Sequence, residues 1–287
     1  GLGLFISKGL AEQHGGGLLV LHADPTEAWV SILERYDVKA VYTNRDHEPY
    51  ARERDRQVAA LLHERDIPFI TCKDQAILER REVLKDDGTP YTVFTPYMKR
   101  WRATVRPGML DAFPSERHLD KLARTMPLEF PTLQELGFTK TDLVVPPLRL
   151  SAESMNAYAA GRDRPDLPGT TQASTHLRFG LVSVRQLMRT AWSVSEKLVN
   201  ELVWREFYMQ ILWHFPNVVH SAFKPAYDRI VWRNDADEFE RWREGMTGYL
   251  LVDAGMRELK VTGLMHNRVR MVVAGCPTKH LLIDWRW

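Results

Sequence analysis

A helical segment around residue 204 carries residue types that suit chemistry on an aromatic ligand. Glu201, Trp204 and Tyr208 are spaced three and four residues apart, so an α-helix places all three on one face. A carboxylate acceptor then lies beside an aromatic surface. A half-buried Glu201 paired with Arg205 would explain the same pattern without any ligand, and these residues alone leave both interpretations open.

The segment Met265–Met271 repeats this combination of a polar group and an apolar one. Asn267 and Met271 are four residues apart and share a helix face, and Arg268 and Arg270 flank it. A buried Asn267 with its hydrogen bonds satisfied is the purely structural alternative. The presence of both segments in one chain favours a binding function.

Tryptophan is concentrated near the carboxyl end of the chain. Of the nine Trp residues, the last 96 positions hold seven, at 192, 204, 213, 232, 242, 285 and 287. Core packing explains most buried tryptophans. The density is nevertheless typical of a function that uses indoles, either for stacking on bases or for passing electrons.

Charge is also uneven along the chain. The net charge of the whole sequence is +2, but Gly255–Trp287 holds six Lys or Arg against two acids, a surplus of four. Such a region could face phosphates. A solvated helix face, balanced by acids elsewhere in the fold, is the alternative.

Composition limits the class of protein. With 287 residues, 44% hydrophobic and 26% charged, the chain is predicted to fold as a globular protein of about two domains. No apolar run approaches the roughly 18 residues that span a bilayer, so no membrane helix is expected. Two cysteines, Cys72 and Cys276, are too few for a disulfide framework or a thiolate zinc site, and they fit a reducing cytosol. No metal is expected.

The first third of the chain alternates short apolar segments with helical patterns. Leu18–Asp24, Lys39–Asn44 and Pro68–Lys73 are predicted strands, and helices are predicted up to Tyr36 and over Tyr50–Arg65. This alternation predicts a parallel α/β sheet of Rossmann type. Three strands make a small sheet, so we expect it to be incomplete.

A proline-rich stretch separates this region from a helical one. Pro107–Pro168 contains eight of the 16 prolines, with only short helical stretches such as Glu116–Arg124, and is predicted to be a connector. Helical periodicity then returns in five segments: Ser183–Trp192, Ser195–Phe215, Asp237–Arg243, Val252–Val261 and His266–Ile283. The predicted organisation is an α/β domain over residues 1–106, a connector over 107–150 and an all-α domain over 151–287.

An ordered set of motifs resembles the DNA photolyase/cryptochrome flavoproteins, most closely the class I cyclobutane pyrimidine dimer photolyases. The resemblance extends from about Leu18 to Trp285. The motifs are Asn44-Arg45-Asp46, Glu48–Arg52, Lys73-Asp74-Gln75, Gly88–Tyr97, His176–Gly180, Asn200–Tyr208, Trp232–Asp235, Thr247-Gly248-Tyr249, Val252–Arg257, Met265–Met271 and Thr278–Trp285.

The resemblance implies an antenna-type α/β domain followed by a helical domain that binds FAD. Such enzymes flip a pyrimidine dimer out of damaged double-stranded DNA, and photoexcited reduced flavin donates the electron that splits it. A second, antenna chromophore of folate or deazaflavin type is possible in this family. The implied protein is a deoxyribodipyrimidine photo-lyase, a bacterial, cytoplasmic, nucleoid-associated monomer.

Site residues follow from the same resemblance, position by position. Flavin contacts are implied for Tyr158, Thr170, Thr171, Gln172, Ala173 and Ser174. DNA contacts are implied for Arg162, Glu201, Trp204, Arg205, Tyr208, Asn267 and Arg268. Among these, Glu201 resembles the carboxylate that hydrogen-bonds the dimer and Trp204 the stacking platform. Asn267 with Met271 resembles the remaining pocket wall. Trp232 and Trp285 resemble the outer and middle members of the chain that supplies electrons to the flavin.

Two further positions have an open interpretation. Asn44 and Glu48 follow a predicted strand, where an antenna folate could contact them. A turn and helix cap formed by Asp46 and Pro49 is an equally good explanation.

Asn267 and Met271 favour the dimer-repair enzymes within the family, since six-four enzymes carry histidines here and plant-type cryptochromes usually carry Asp for Asn267. A cryptochrome photoreceptor and a degenerate flavin-free DNA-binding remnant are the alternatives. The sequence departs from the family pattern at Leu264, Ala173, Leu250 and Pro277, and a kink is expected at Pro277.

The family's first strand and the residues that close its flavin pocket have no counterparts in this sequence. We therefore expect a fragment that binds FAD weakly and is inactive alone.

Overall fold

The computed structural model describes residues 17–123 and 130–287. These residues form two compact units. The first unit lies within Gly1–Lys140 and Ser174–Pro216, and the second comprises Thr141–Ala173 and Asn217–Trp287. The predicted limits of the α/β domain, connector and helical domain remain predictions.

A small α/β layer forms the amino-terminal part of the first unit. Its elements are helix α1 (Pro25–Arg35), strand β1 (Val41–Asn44), helix α2 (Pro49–His63) and strand β2 (Phe69–Cys72). The strands are parallel, with Val41 opposite Phe69 and Asn44 opposite Cys72. Val58 and Leu62 of α2 pack with Val41 to form the core below the sheet. Parallel strands joined by a helix confirm the predicted class of this region.

The predicted strand over Leu18–Asp24 is wrong. Residues 18–22 are irregular, and the sheet of the described chain has two strands, not three. An apolar run shows that a segment prefers burial, but a strand also needs a neighbour for its backbone hydrogen bonds. Asp24 instead caps α1, since its carboxylate accepts the backbone N–H of Thr26 at 2.9 Å.

Three longer helices complete the first unit. They are α3 (Phe94–Thr104), α6 (Val184–Trp192) and α7 (Glu196–His214), and α7 packs against both α3 and α6. Trp101, Leu187 and Val203 are fully buried between them. The periodicity of Ser183–Trp192 and Ser195–Phe215 therefore predicted α6 and α7 to within a residue at each end.

The proline-rich stretch has little regular structure where it is described. It contains short 3₁₀ turns at Pro107–Leu110 and Ser115–Lys121, and helix α4 (Ala152–Gly161) in the second unit. Helix α5 (Ala173–Arg178) follows it. The predicted helical stretch Glu116–Arg124 is a 3₁₀ turn that ends at Lys121, and Arg124 lies outside the described residues.

The rest of the second unit is built from α8 (Ala236–Arg243), α9 (Leu250–Thr262) and α10 (Asn267–Lys279). Helices α9 and α10 share a core of Val252, Met256, Val269, Val273 and Cys276. A Cβ on Gly255 would lie 2.5 Å from Cγ1 of Val269, so glycine is what allows the two helices to approach closely. This helical region confirms the predicted fold class for the carboxyl-terminal half.

One predicted helix end is wrong. The pattern His266–Ile283 predicted a helix through Ile283 with a kink at Pro277, but α10 ends at Lys279. Pro277 therefore lies in the last turn. The backbone N–H of Ile283 donates to the Pro277 carbonyl at 2.9 Å, which turns the chain away from the helix.

Within the described ranges, none of the helices is both long and apolar enough to cross a membrane. The same residues contain no group of three or more His, Cys, Asp or Glu side chains arranged to hold a metal ion.

Candidate DNA and flavin contact surfaces

An aromatic column in the first unit consists of Phe94, Trp204 and Tyr208. Phe94 is the first residue of α3, and its ring lies parallel to the Trp204 indole, with centroids 3.6 Å apart and an angle of 6°. Tyr208, one turn along α7, lies 5.5 Å from the indole at 22°. The structure thus brings Trp204 and Tyr208 together as their spacing predicts.

Phe207 fixes the orientation of this column. Its buried ring stands at 83° to Trp204, 78° to Phe94 and 62° to Tyr208, with centroids 5.5 to 5.8 Å apart. Edge-to-face contacts of this kind add stability beyond apolar burial. Tyr208 is 62% exposed, so the column reaches the surface already ordered.

Sequence reasoning missed Phe94. It belongs to the motif Gly88–Tyr97, which carried the family resemblance but gave no role to single residues. Phe94 occupies a face of the Trp204 indole, which limits where a flat ligand can stack on it.

Arg205 contacts the loop after β2: its Nη1 donates to the Gln75 carbonyl at 2.5 Å. Burial lowers the pKa of Arg205 from its ordinary value. Arg205 thus holds α7 against the loop after β2. Glu201 is half-buried on the same helix, one turn before Trp204.

A second carboxylate on α7, Glu206, was not predicted as functional. It is 1% exposed and accepts the backbone N–H of Ile77 at 2.5 Å and of Leu78 at 3.2 Å. The indole Nε1 of Trp101 donates to it at 2.6 Å. Burial raises the pKa of Glu206 to about 7, against the opposing effect of these three donors. Its carboxylate joins α7, α3 and the loop at residues 77 and 78, and so positions the helix that carries Trp204.

The predicted flavin segment is held tightly within the second unit up to Ala173. A Cβ on Gly169 would lie 2.2 Å from the Gly161 carbonyl oxygen, so the chain before Thr170 lies directly on the end of α4. The backbone N–H of Arg149 donates to the Thr171 carbonyl at 2.9 Å, and Gln172 has a left-handed φ of 56°. These constraints place Thr170 to Gln172 immediately before α5.

The side chains of this segment fit a phosphate-bearing, polyhydroxylated cofactor such as FAD. Tyr158 and Thr171 are each 8% exposed and Ala173 is 7% exposed, so packing holds these three side chains of the predicted flavin site in place. Hydroxyl and amide groups ahead of a helix suit phosphate and ribityl oxygens. Ser174 continues this segment at the start of the next helical turn.

Two of the arginines predicted to contact DNA share one carboxylate in the second unit. Arg268 lies 2.8 Å from Oδ1 of Asp163, and Arg162 lies 3.4 Å from the same oxygen. The hydrogen bond from Arg268 is the main cause that lowers the pKa of Asp163. The structure therefore brings Arg162 and Arg268 together through Asp163, a residue the sequence did not single out.

Asn267 and Met271 lie on the first turns of α10, where His266 caps the helix by accepting the backbone N–H of Arg268 at 3.2 Å. Asn267 is exposed, and Met271 is 60% exposed. The alternative of a buried Asn267 is therefore wrong. Both side chains are accessible to a ligand.

Trp232 and Trp285 lie on two neighbouring segments of the second unit. The backbone N–H of Arg233 donates to the Leu282 carbonyl at 2.8 Å, and the Asn234 side chain accepts the N–H of Asp284 at 2.7 Å. Trp285 is 44% exposed, with the Arg286 guanidinium 5.5 Å from its ring centre. Both indoles therefore lie next to the two segments that these hydrogen bonds join.

The two positions considered for an antenna chromophore are both engaged in protein contacts. Asn44 donates to Asp74 at 2.9 Å, and Glu48 pairs with Arg178 at 2.8 Å. Asp46 accepts the N–H groups of His47 at 2.6 Å and Glu48 at 3.1 Å, just before α2 begins at Pro49. These contacts support the turn, but the N-cap residue of α2 is Glu48 and makes no side-chain cap hydrogen bond. The antenna role remains a prediction.

Two family models match the chain. Residues 8–117 match the DNA photolyase model, and residues 198–287 match the FAD binding domain of DNA photolyase.

Curated relatives give the same result. A deoxyribodipyrimidine photo-lyase from Synechococcus sp. is 35% identical over 303 residues, which cover 96% of this chain and 62% of the relative. The one from Halobacterium salinarum is 33% identical, covering 95% and 61%. The chain thus spans about 62% of the length of the curated relatives it matches.

Solved structures share the fold. A class III photolyase from Agrobacterium tumefaciens superposes with a TM-score of 0.84 at 27% identity, covering 99% of this chain and 63% of that one. An archaeal photolyase from Sulfolobus tokodaii with two FAD molecules gives 0.77 at 28% identity, covering 99% and 64%.

Proposed function

The chain belongs to the DNA photolyase/cryptochrome family, and from this premise we propose that the protein repairs cyclobutane pyrimidine dimers in DNA with light. The observation that carries the proposal is the aromatic column of Phe94, Trp204 and Tyr208, which reaches the surface beside Glu201. A flipped-out dimer presents flat faces and polar edges, and an ordered indole with a nearby carboxylate suits both.

The protein's own residues bind and orient the damaged DNA. In the first unit, the part of the half-buried Trp204 indole that Phe94 and Tyr208 leave uncovered stacks on the dimer, and Glu201 hydrogen-bonds the dimer's edge. In the second unit, Asn267 and Met271 contact the dimer from the exposed turns of α10. Tyr208 and Arg205 add contacts along α7, although the Arg205 guanidinium also holds the Gln75 carbonyl.

Arg162 and Arg268 bind DNA phosphates. Both guanidiniums contact Asp163, which keeps the two positive charges next to each other. Phosphate contacts set affinity and position but carry no information about damage. Recognition of the lesion therefore rests on the aromatic column.

Tyr158 and the segment Thr170 to Ser174 hold FAD. When bound and reduced, the flavin supplies the electron that splits the dimer. The tight contact between Gly161 and Gly169 fixes the backbone from which these hydroxyl and amide groups extend. Trp232 and Trp285 pass electrons towards the flavin site from the surface, where Trp285 is exposed.

The protein acts as a monomer on damaged double-stranded DNA at the bacterial nucleoid. Its antenna chromophore, of folate or deazaflavin type, is bound near Asn44 and Glu48 if those side chains exchange their present partners.

A repair assay tests this proposal. The full-length protein is purified, supplied with FAD, reduced chemically, mixed with an oligonucleotide that contains one thymine dimer, and illuminated with blue light. Restoration of thymine absorbance in the light, and none in the dark, is the expected result. Flavin binding without light-dependent restoration would favour the photoreceptor alternative, and absence of flavin binding would favour a flavin-free remnant.

A further inference from the structure

A pocket of about 370 Å³ lies in the first unit, and none of the residues that line it was given a role above. It is formed by the end of α3, the 3₁₀ turn Pro107–Leu110 and the end of α6. The residues that define its chemistry are Val105, Arg106, Leu110, Asp111, Arg189 and Trp192. Its volume is within the range of small-ligand sites.

The floor of the pocket is apolar and ends in an accessible indole. Leu110 is buried and Val105 half-buried, whereas Trp192 is 44% exposed. Trp192 packs on the fully buried Trp101, with ring centroids 6.2 Å apart at 38°. An indole held in this way offers a flat surface to a planar ring.

Two guanidinium groups at the rim of the pocket use only one of their three nitrogen atoms in hydrogen bonds. Nη1 of Arg106 donates to the carbonyl of Ala103 at 2.8 Å, and Nη1 of Arg189 donates to the carbonyl of Leu110. The Nε and Nη2 atoms of both make no hydrogen bond within the described residues. Neither arginine forms an ion pair there, so both remain available to an anion.

Asp111 adds a negatively charged hydrogen-bond acceptor to the same pocket. It is exposed and forms no ion pair with any described residue, although two arginines line the same cavity. A carboxylate accepts two parallel N–H groups through its two oxygens. Guanine presents such a pair on one edge, whereas adenine presents a donor beside an acceptor.

From this combination we infer that the pocket binds a guanine nucleotide. The base stacks on Trp192, its N–H edge donates to Asp111, and Arg189 with Arg106 binds the phosphate. The surplus of one positive charge among these three rim groups matches an anionic ligand. The site is independent of the proposed repair activity.

Titration calorimetry with guanosine monophosphate, adenosine monophosphate and inorganic phosphate tests the inference. We expect guanosine monophosphate to bind at least tenfold more tightly than the other two probes. Asp111→Asn should abolish the preference for guanine over adenine, because an amide offers only one acceptor. Arg189→Gln should weaken the binding of both nucleotides by about tenfold, and Trp192→Leu should weaken it by a similar factor, since the base loses its stacking partner.

Arg81→Gln is the matched control, since Arg81 is exposed and lies outside the pocket. It should leave all three affinities unchanged. The inference is overturned by a wild-type protein that binds no nucleotide at millimolar concentration, by inorganic phosphate that binds as tightly as the nucleotide, or by an Asp111→Asn variant that keeps the guanine preference. Repair activity is not used as a readout, so failure here leaves the proposed function intact.

Discussion

The indole Nε1 of Trp242 donates to the carbonyl oxygen of Val273 at 3.0 Å. Val273 lies four residues before Pro277, and in a regular α-helix its carbonyl would accept the N–H that proline lacks. Trp242 of α8 therefore supplies the hydrogen bond that α10 loses, and it does so beside the core of Val252, Met256 and Val269. This contact explains how a helix of the second unit accommodates a proline.

Trp242→Phe should lower the free energy of unfolding by about 1–3 kcal/mol, because it leaves a carbonyl next to the core without its donor. In a Pro277→Ala background, Trp242→Phe should lower the free energy of unfolding by less, since residue 277 then provides a backbone N–H to the Val273 carbonyl. Urea unfolding of the two single variants and the double variant measures this coupling. Trp287→Phe, at a 52% exposed position, is the control. Equal costs of Trp242→Phe in both backgrounds would contradict the account.

Glu206 should make stability fall as pH rises from about 4.5 to 7. Burial raises its pKa to about 7 in the folded state, from an ordinary value of 4.5, so the folded state binds more protons in this window. The stability lost across it should be about 2–4 kcal/mol. Urea unfolding at several pH values is the measurement. Glu206→Gln should flatten the dependence, and Glu34→Gln, at an exposed position, should not. The same pH dependence in the wild type and in Glu206→Gln would rule out the assigned role of burial.

Arg162 and Arg268 should contribute to DNA affinity through charge alone. Replacing either arginine by Gln should weaken the binding of damaged and of intact DNA by the same factor. It should also reduce the slope of log affinity against log salt concentration by about 1. Binding measured by fluorescence anisotropy at four salt concentrations tests this. Arg241→Gln, an arginine on α8 with no assigned role, serves as the control. A change in selectivity for damage, with the salt slope unaltered, would assign these residues to lesion recognition instead.

Trp285→Phe should abolish photoreduction of oxidised flavin and leave repair by chemically reduced protein nearly unchanged. The reason is that an indole can relay an electron and a phenyl ring cannot do so at comparable cost. Absorption spectroscopy under blue light follows the first activity, and thymine absorbance follows the second. Loss of both to the same extent would indicate that Trp285 only packs.

Local patterns predicted the helices well because their information is contained in neighbouring residues. The periodicity of α7 and α9 is visible in any window of a few turns, and it put Trp204 and Tyr208 on one face. The strand expected at Leu18–Asp24 failed because pairing depends on a neighbour that an apolar run does not reveal. The end of α10 was misjudged for a related reason, since the turn after Lys279 is closed by the hydrogen bond from the Ile283 N–H to the Pro277 carbonyl, which periodicity does not reveal.

The site residues that sequence reasoning missed depend on contacts between distant positions. Glu206 is held by donors at residues 77, 78 and 101. Asp163 joins its neighbour Arg162 to Arg268, which is 105 positions away. A single carboxylate in a helix carries no signal of such partners. The role of Phe94 rests on the contact of its ring with the Trp204 indole, which joins two distant positions of the chain.

The central claim is that the Trp204 indole distinguishes damaged from intact DNA, and one binding comparison tests it most directly. Affinities of wild-type protein and Trp204→Ala are measured for two oligonucleotides of identical sequence, with and without a thymine dimer. Because stacking is worth about 1–3 kcal/mol per base, the variant should bind the dimer-containing DNA roughly 10- to 100-fold more weakly and the intact DNA almost as well as wild type. A wild-type protein without preference for the dimer, or a variant that loses affinity for both oligonucleotides equally, would contradict it.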